Sequence, residues 1–303
     1  MLKQGLNAVV MPLVLSLSEK VDGNGGVGVG IVEPKAVMNN VEKLKNCLRS
    51  LEIDSQSLGS VFGQIYHMLN KVIQQSINNC ALCERVVSCY KAAIRNMRSD
   101  FSPFFPSLAQ DLVLSFQKSR LPPFLYCASI LVQEFKPINP EEAVISGSHG
   151  EVIVAMLGQM SHTFFNNFSN LELLNADPET VEEFYFLMAK AVQCCPLVFH
   201  KSQQGQNLVF EAAVAGLQIQ HRDAHKGIVV FIQKLLKLAL VDHNAHAPPQ
   251  SQELTVQALA QNGPKLVAGL LGCLAGDVSA HVLGGRSVRV QRGGGYISIL
   301  VSC

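Results

Sequence analysis

The sequence PPFLYCASILVQEF, at Pro122–Phe135, decides the fold of this chain. Its two prolines can begin a helix, because the amides of the first helical turn have no acceptor within the helix. The residues that follow are apolar on nearly all sides, with no charged residue before Glu134, whereas a surface helix carries a single apolar stripe. The segment is too short to span a bilayer, which takes ~20 apolar residues. We therefore predict an inner helix that other helices cover on several sides.

Helical patterns continue on both sides of this segment. Ser57–Gln75 has a clear apolar stripe at helical spacing, and Asp177-Pro178-Glu179 is a typical helix start with an Asp N-cap. Other predicted helices are Asn79–Arg98, Phe101–Gln117, Glu151–Leu174, Asn207–Gln218 and Asp223–Val241. Pairs of such helices recur about every 40–47 residues, which is the period of HEAT and armadillo arrays. We predict an all-α, HEAT-repeat superhelical solenoid of paired antiparallel helices with an irregular C-terminal tail; a compact all-α bundle is the alternative.

The composition limits the class of protein. Hydrophobic residues make up 48% of the chain and charged residues 16%, which suits helices that are buried on more than one side. The net charge of +1 creates no overall field that would attract nucleic acid or a membrane, so we expect neither as a direct partner. No run of 18 apolar residues occurs, so we expect a soluble protein. The nine cysteines, with Cys194 next to Cys195, indicate free thiols in a reducing compartment rather than a disulfide framework.

Three helical segments carry a more specific signal than their periodicity. They read PPFLYCASILVQEF at 122–135, NADPETVEEFYFLMAKAVQCCPLVF at 175–199 and HRDAHKGIVVFIQKLLKLA at 221–239. In this order they resemble the C-terminal region of transportin-SR-like nuclear import receptors, which belong to the importin-β (karyopherin-β) superfamily. The resemblance extends over roughly 57–274, so the chain is expected to be the C-terminal portion of such a receptor.

The resemblance implies a function as well as a fold. Receptors of this family are right-handed HEAT superhelices that bind protein cargo on the concave face and shuttle between cytoplasm and nucleus. They contact phenylalanine-glycine nucleoporin repeats on the outer face and bind the GTPase Ran mainly through N-terminal repeats. Ran binding is therefore expected of a full-length receptor and not of this portion. The residues themselves offer no Ser/His/Asp, Cys/His or paired-carboxylate arrangement, so we expect no enzymatic activity, no cofactor and no metal.

The sequence suggests three regions. Residues 1–56 hold N-terminal helices and a glycine-rich loop, residues 57–277 the HEAT array, and residues 278–303 an atypical tail. The tail, HVLGGRSVRVQRGGGYISILVSC from residue 281, is glycine-rich, basic and strand-like where the family has a capping helix pair. We expect it to be disordered and to originate from read-through or alternative splicing, so the chain could be a truncated product or a partial gene model.

One helix carries a constellation of basic residues. Within Asn79–Arg98, Lys91, Arg95 and Arg98 fall at about 240°, 280° and 220° around the helix axis when Arg85 is set to 0°. Lys91, Arg95 and Arg98 therefore share one face of the helix, and the long side chain of Arg85 can reach toward that face from one side. The resemblance implies that such a helix contacts the phosphorylated arginine-serine segment of splicing factors, although Ser88 stands where the family has a further basic residue. Guanidinium groups suit phosphate because they donate two parallel hydrogen bonds. An ordinary solvated helix face is the alternative.

Other motifs give weaker signals. The stretch Gly23–Gly28 satisfies GxGxxG but lacks the preceding strand and following helix of a dinucleotide site, so we interpret it as an interhelical loop. Cys80, Cys83 and Cys89 lack a second ligand pair, and the pair His221/His225 lacks the glutamate of a metalloprotease helix. We expect Asp223 to be the N-cap of the helix that follows it, and His243 and His246 to lie in a loop that binds no metal. The isolated acids Glu182 and Glu183 are expected to face water or to pair with neighbouring helices.

The alternative function for the whole array is a HEAT scaffold for protein assembly without a transport role.

Overall fold

The structure is a computed structural model that describes residues 2–22, 34–50, 55–137, 148–202, 208–240, 249–275, 288–293 and 296–301. The glycine-rich motif at 23–28 and the loop histidines His243 and His246 lie outside the described residues, as does the first part of the tail, 278–287. The described part is dominated by α-helices that pack against one another.

The helices and strands are, in chain order, α1 (Leu2–Asp22), α2 (Pro34–Ser50), α3 (Ser55–Gln75), α4 (Cys80–Met97), α5 (Phe105–Ser119), α6 (Pro122–Glu134), α7 (His149–Asn167), α8 (Leu171–Ala176), α9 (Pro178–Cys194), α10 (Pro196–Ser202), α11 (Leu208–Ala215), α12 (Arg222–Leu240), α13 (Pro249–Ala275), β1 (Val288–Gly293) and β2 (Tyr296–Val301). Two 3-10 segments, Arg98–Phe104 and Gly216–Gln218, follow α4 and α11.

The chain divides into two compact units, Met1–Thr163 and Phe164–Cys303. The boundary falls inside α7. This boundary does not coincide with the region limits predicted at 56/57 and 277/278. Those limits concern the repeat organisation and not the compactness of the chain, and they stay predictions.

The first unit has two layers of helices. Helices α1, α3 and α5 pack next to one another in one layer, and α2, α4 and α6 do so in the other. Contacts of α1 with α2, α3 with α4 and α5 with α6 join the layers into successive pairs. This arrangement of stacked pairs is the HEAT-like all-α architecture predicted from the helix spacing, and the fold class is confirmed.

Helix α6 is the buried inner helix that its sequence predicts. It begins at Pro122, after Leu121 in extended conformation, and its apolar residues are buried on several sides against α4 and α5. Buried members are Pro123, Phe124, Leu125, Cys127, Ala128, Ile130, Leu131 and Val132. Burying one large aliphatic or aromatic side chain contributes about 1.5–3 kcal/mol, so this helix anchors the unit.

The second unit is organised around the contact between α9 and α12. Helix α9 begins as predicted, with the Asp177 side chain accepting a hydrogen bond from the Thr180 amide and Pro178 in the first turn. Phe184 of α9 stacks on Phe164 with ring centroids 3.7 Å apart. Helix α13 packs against α10, α11 and α12 of the same unit.

Several predicted helix limits were wrong. The predicted helix Glu151–Leu174 is two helices, because α7 ends at Asn167 and Asn170 caps α8 by accepting from the Leu173 amide. The predicted start at Phe101 is instead a 3-10 segment that precedes α5. Asp223 is not an N-cap, because α12 already begins at Arg222.

The tail contains structure where we predicted an irregular, disordered segment. Strands β1 and β2 form an antiparallel pair in which Val288 lies opposite Val301 and Gly293 opposite Tyr296. The reason is local: Val288 and Val290 alternate with Arg289 and Gln291, the period-two pattern that strands favour.

Candidate binding site on helix α4

Helix α4 has a capped start and one buried side. Asn79, in extended conformation, accepts a hydrogen bond of 3.1 Å from the Leu82 amide through its side chain, which satisfies one of the free amides of the first turn. The buried residues recur at helical spacing and face α3, α2 and α6. The basic residues therefore lie on the side of α4 that remains at the surface.

Arg85 is held by helix α2. Its guanidinium forms an ion pair of 2.9 Å with Glu42, which also pairs with Lys45. The hydrogen bonds from Lys45 and then from Arg85 lower the pKa of the Glu42 carboxyl. Arg85 thus already has an anionic partner within the protein.

Lys91 is held by helix α6. Its ammonium donates a hydrogen bond to the hydroxyl of Tyr126 and lies 5.0 Å from the centroid of that ring. Both the hydrogen bond and the attraction of a cation to an aromatic face bind the two helices together. Lys91 is half-buried, and its position at the α4–α6 contact gives it a structural partner as well as a place on the surface.

Arg95 and Arg98 are different, because both are exposed and neither has an acidic partner among the described residues. Arg98 lies just beyond the last helical residue, with φ 49° and ψ −119°, and its amide donates to the Ile94 carbonyl. The angular placement predicted for Arg98 assumed a helix that extends through it, and the chain leaves helical geometry at this residue. A positive φ is strained for a residue with a side chain.

Arg95 and Arg98 line one cleft of about 810 Å³ at the end of α4. Lys91 and Arg85 do not line it. The structure therefore brings together two of the four predicted residues and leaves the other two at contacts with α6 and α2.

The other lining residues of the cleft come from distant parts of the sequence. His149, the first residue of α7, hydrogen-bonds Ser102 at 2.7 Å between Oγ and Nε2 and packs edge-on against Phe105 and Phe135. Phe105 and Phe135 in turn contact each other, with centroids 4.8 Å apart. Phe135 and His149 line the cleft themselves, and their ring contacts with each other and with Phe105 hold them in place.

The cleft also contains an acid that the sequence analysis did not single out. Glu134, the last residue of α6, lines the cleft together with Lys136 and Gln133, whose amide lies 3.3 Å from the Glu134 carboxylate. Residues 98–102, 133–137 and 148–150 meet here only through tertiary packing. No sequence signal links Ser102 to His149, which is 47 positions away.

The other candidate motifs take structural roles. Cys83 and Cys89 are buried, and burial raises the pKa of the Cys83 thiol to about 12 and that of Cys89 further. Among the described residues, no group of three or more His, Cys, Asp or Glu side chains could hold a metal ion. Glu182 pairs with Lys226 at 3.4 Å, as expected of an acid between helices, whereas Glu183 is half-buried and does not simply face water.

Comparison with known proteins identifies the same part of the chain. Residues 57–168, which include α4 and the whole cleft, match the model of the transportin-3/importin-13 fourth TPR domain. A solved structure titled importin-13 in its cytosolic state superposes with a TM-score of 0.72 at 16% identity, over 92% of this chain and 31% of that chain. The family model thus relates residues 57–168 to transportin-3 and importin-13, and the structural match supports the helical solenoid fold.

An uncharacterized protein of Schizosaccharomyces pombe is 24% identical over 191 residues, which is 63% of this chain and 19% of that protein. The chain thus spans about a fifth of this relative and about a third of the importin-13 chain. Within the described residues, no helix is both long enough and apolar enough to cross a membrane.

Proposed function

We propose that this chain is a cargo-binding portion of a nuclear import receptor and that it binds phosphorylated arginine-serine segments of splicing factors through α4. The observation that carries the proposal is the pair Arg95 and Arg98, two exposed guanidiniums that share a cleft and have no acidic partner among the described residues. A phosphate group accepts hydrogen bonds from two guanidiniums at once, and each charge-assisted bond contributes about 1.5–3 kcal/mol.

The four predicted residues then contribute unequally. Arg95 and Arg98 contribute most, since they give up no partner when a ligand arrives. Lys91 can turn one hydrogen to the ligand while it remains over the Tyr126 ring. Arg85 contributes least, because a phosphate must compete with Glu42 at 2.9 Å.

The layer formed by α2, α4 and α6 would be the concave, cargo-facing side in this proposal. Nucleoporin repeats would then bind elsewhere on the outer helices. Ran-driven release is not expected of this chain, since the family binds Ran mainly through N-terminal repeats. A Kd for GTP-bound Ran equal to that of a complete receptor would contradict this part of the proposal.

Fluorescence anisotropy of a labelled arginine-serine peptide, phosphorylated and unphosphorylated, tests the binding. We expect Arg95→Glu to weaken binding of the phosphorylated peptide at least about tenfold, or about 1.4 kcal/mol, because it removes one donor and adds a repulsive charge. Arg98→Gly should weaken it several-fold without loss of folding, since glycine adopts the positive φ of this position at no steric cost. Arg85→Glu should have the smallest effect of these three substitutions, because Arg85 is already paired with Glu42.

Lys118→Glu is the matched control, because Lys118 is an exposed cation on α5 that bonds Gln74 and does not line the cleft. It changes the net charge as Arg95→Glu does and should alter the Kd less than about twofold if the site is local. Equal effects of Arg95→Glu and Lys118→Glu would refute a site on α4. No binding by a folded, helical chain would instead favour a HEAT scaffold without a transport role.

A further inference from the structure

Helix α4 begins with a pair of cysteines that the proposed cargo site does not involve. Cys80 is its first residue and Cys83 follows three positions later, so the two lie on the same face of the first turn. The Cα atoms of residues i and i+3 are about 5 Å apart in an α-helix, within the roughly 4.4–6.8 Å that a disulfide spans. The helical backbone therefore already holds the two cysteines at a separation that a disulfide can bridge.

The two thiols differ in their access to solvent. Cys80 is partly exposed and lines an open cleft of about 530 Å³ together with Pro34, Ser76 and Asn79. Cys83 is buried, and its thiol donates a hydrogen bond of 3.5 Å to the Ser76 carbonyl. A small oxidant dissolved in the solvent therefore meets Cys80 first.

The charges around Cys80 act in opposite directions. The start of a helix carries a partial positive charge, which favours the thiolate form of a cysteine placed there, and the first turn of α4 contains no acidic residue to offset it. One turn further along, the Glu84 carboxylate accepts a hydrogen bond of 3.8 Å from the Cys80 thiol and so favours the protonated sulfur. Glu84 thus restrains a sulfur that the helix start would activate.

Cys83 has the properties of a second, resolving cysteine. Burial, followed by repulsion from Cys80 and Glu84, raises the pKa of the Cys83 thiol to about 12. Cys83 therefore stays protonated and does not compete with Cys80 for an oxidant. An accessible cysteine beside a second cysteine that can react with its oxidised form is the arrangement typical of redox-sensitive sites.

We propose that Cys80 and Cys83 form a peroxide-sensitive modification site that closes to a disulfide within the first turn of α4. The Cys80 thiolate attacks one oxygen of hydrogen peroxide, the O–O bond breaks, and the departing hydroxide takes up the thiol proton as water. The sulfur of Cys83 then attacks the sulfenic acid of Cys80. The S–S bond forms as the S–O bond breaks, and the hydroxyl leaves with the Cys83 proton as a second water.

The electrons balance, because two thiols are oxidised to one disulfide while one peroxide is reduced to two waters. Two molecules of a thiol such as glutathione reverse the step by thiol–disulfide exchange and become one disulfide themselves. The site involves neither Arg95 nor Arg98, so its failure would leave the proposed function untouched.

Oxidation of the full chain with limiting hydrogen peroxide, followed by alkylation of the remaining thiols and peptide mass spectrometry, tests the proposal. Trypsin cleavage after Lys71 and Arg85 gives one peptide that contains Cys80 and Cys83 and no other cysteine. We expect this peptide to lose two hydrogen atoms and to escape alkylation at both positions. Its persistence in the reduced form while Cys194 is already oxidised would overturn the proposal.

Two cysteine variants separate the two steps. Cys80→Ser should leave Cys83 reduced and open to alkylation after unfolding. Cys83→Ala should stop the reaction at the Cys80 sulfenic acid, which dimedone captures. Circular dichroism establishes that each variant is folded, and Cys80→Ser keeps the proposal testable if the change at the buried position destabilises the chain. Oxidation of Cys83 in Cys80→Ser at the original rate would contradict the assigned order.

Cys194→Ser is the matched control, since Cys194 is also partly exposed but is the last residue of α9, where the helix end carries the opposite partial charge. It should leave the rate of disulfide formation unchanged, and an effect equal to that of Cys80→Ser would overturn the site.

Glu84→Gln tests the charge that restrains Cys80. It should speed formation of the disulfide about two- to fivefold, the range of an exposed charge interaction. Glu179→Gln, at an exposed acid of α9, should not change the rate. An unchanged or slower rate in Glu84→Gln would overturn the role assigned to Glu84.

Discussion

Two pairs of neighbouring helices, α4–α6 in the first unit and α9–α12 in the second, place a lysine over an aromatic ring. Lys91 of α4 lies 5.0 Å from the Tyr126 ring of α6, and Lys226 of α12 lies 5.3 Å from the Phe186 ring of α9. If only the lysine and the aromatic ring are considered, the two contacts are equivalent.

Their surroundings are not equivalent. Lys226 also pairs with Glu182 at 3.4 Å, and next to it Gly227 lies so close to α9 that an added Cβ would be 2.9 Å from the Glu182 carbonyl oxygen. At α4–α6, by contrast, α4 ends in two arginines that face a cleft and have no acidic partner among the described residues. The α9–α12 pair is a tight packing contact with its charges matched, whereas the α4–α6 pair leaves cations available. The type of residue does not distinguish the two helix pairs, because both have a lysine over a ring. Whether a cation serves packing or stays available for binding depends on the partner that the neighbouring helix offers it.

The close approach at Gly227 gives the largest expected effect. Gly227→Ala should lower the free energy of unfolding by about 3 kcal/mol, since the new methyl group meets backbone that cannot rotate away. Gly263→Ala, in helix α13 of the same unit with open space around the added Cβ, should instead be neutral or stabilise by up to about 1 kcal/mol. Urea unfolding followed by circular dichroism measures both. Equal stability of the two variants would mean that α9 and α12 are not in such close contact.

The half-buried Glu183 gives the next effect, which depends on pH. Burial, followed by repulsion from Glu182, raises the pKa of Glu183 from its ordinary value of 4.5 to about 7. The folded chain therefore holds this proton more tightly than the unfolded chain, and the resulting stability is complete below pH 4.5 and is lost as the pH rises through 7.

Glu183→Gln removes this loss of stability at high pH, because the glutamine amide does not ionise. We expect the variant to be about 2 kcal/mol more stable than the original chain at pH 8, after allowance for partial solvent exposure, and nearly equal to it at about pH 4. The measurement is urea unfolding at both pH values. Glu179→Gln, at an exposed acid in the first turn of the same helix, is the control and should shift both values equally little. A stabilisation of the same size at the lower pH would rule out titration of Glu183 as the cause.

The two lysines give the smallest effect and compare the helix pairs directly. Lys226→Met should cost about 1 kcal/mol, because Glu182, which is only 19% exposed, loses its cation while the ring contact remains apolar. Lys91→Met should cost about half of that, since Tyr126 keeps contact with water. Thermal unfolding of the two variants gives the comparison. A larger cost for Lys91→Met would show that the α4–α6 contact depends on its lysine more than the α9–α12 contact does.

Much of the fold could be predicted from local patterns. The double proline at Pro122–Pro123, the nearly uniform apolarity of α6 and the Asp177 cap of α9 each act through neighbours along the chain, and each is found in the structure as predicted. Limits that depend on competition between local conformations were harder to predict. The break after Asn167 and the 3-10 segment from Arg98 were not predicted, because periodicity continues across both.

The site could be predicted only in part. The sequence placed the basic residues on one helix, but helical geometry could not show that Glu42 of α2 would pair with Arg85 or that Tyr126 of α6 would hold Lys91. Those partners lie 43 and 35 positions away in the sequence. Glu134 and His149 were not singled out, since each is unremarkable within its own segment.

By itself, the sequence determined that this protein consists of paired, largely buried helices with an excess of arginine and lysine on α4. It could do so because helix formation and apolar periodicity are governed by residues within a few positions of one another. Tertiary structure alone decided which of those cations remain free, because an ion pair or a cleft forms between groups that packing brings within a few ångströms. At the end of α4 that packing leaves Arg95 and Arg98 in one cleft with Glu134, and the electrostatic character of the surface follows from their proximity.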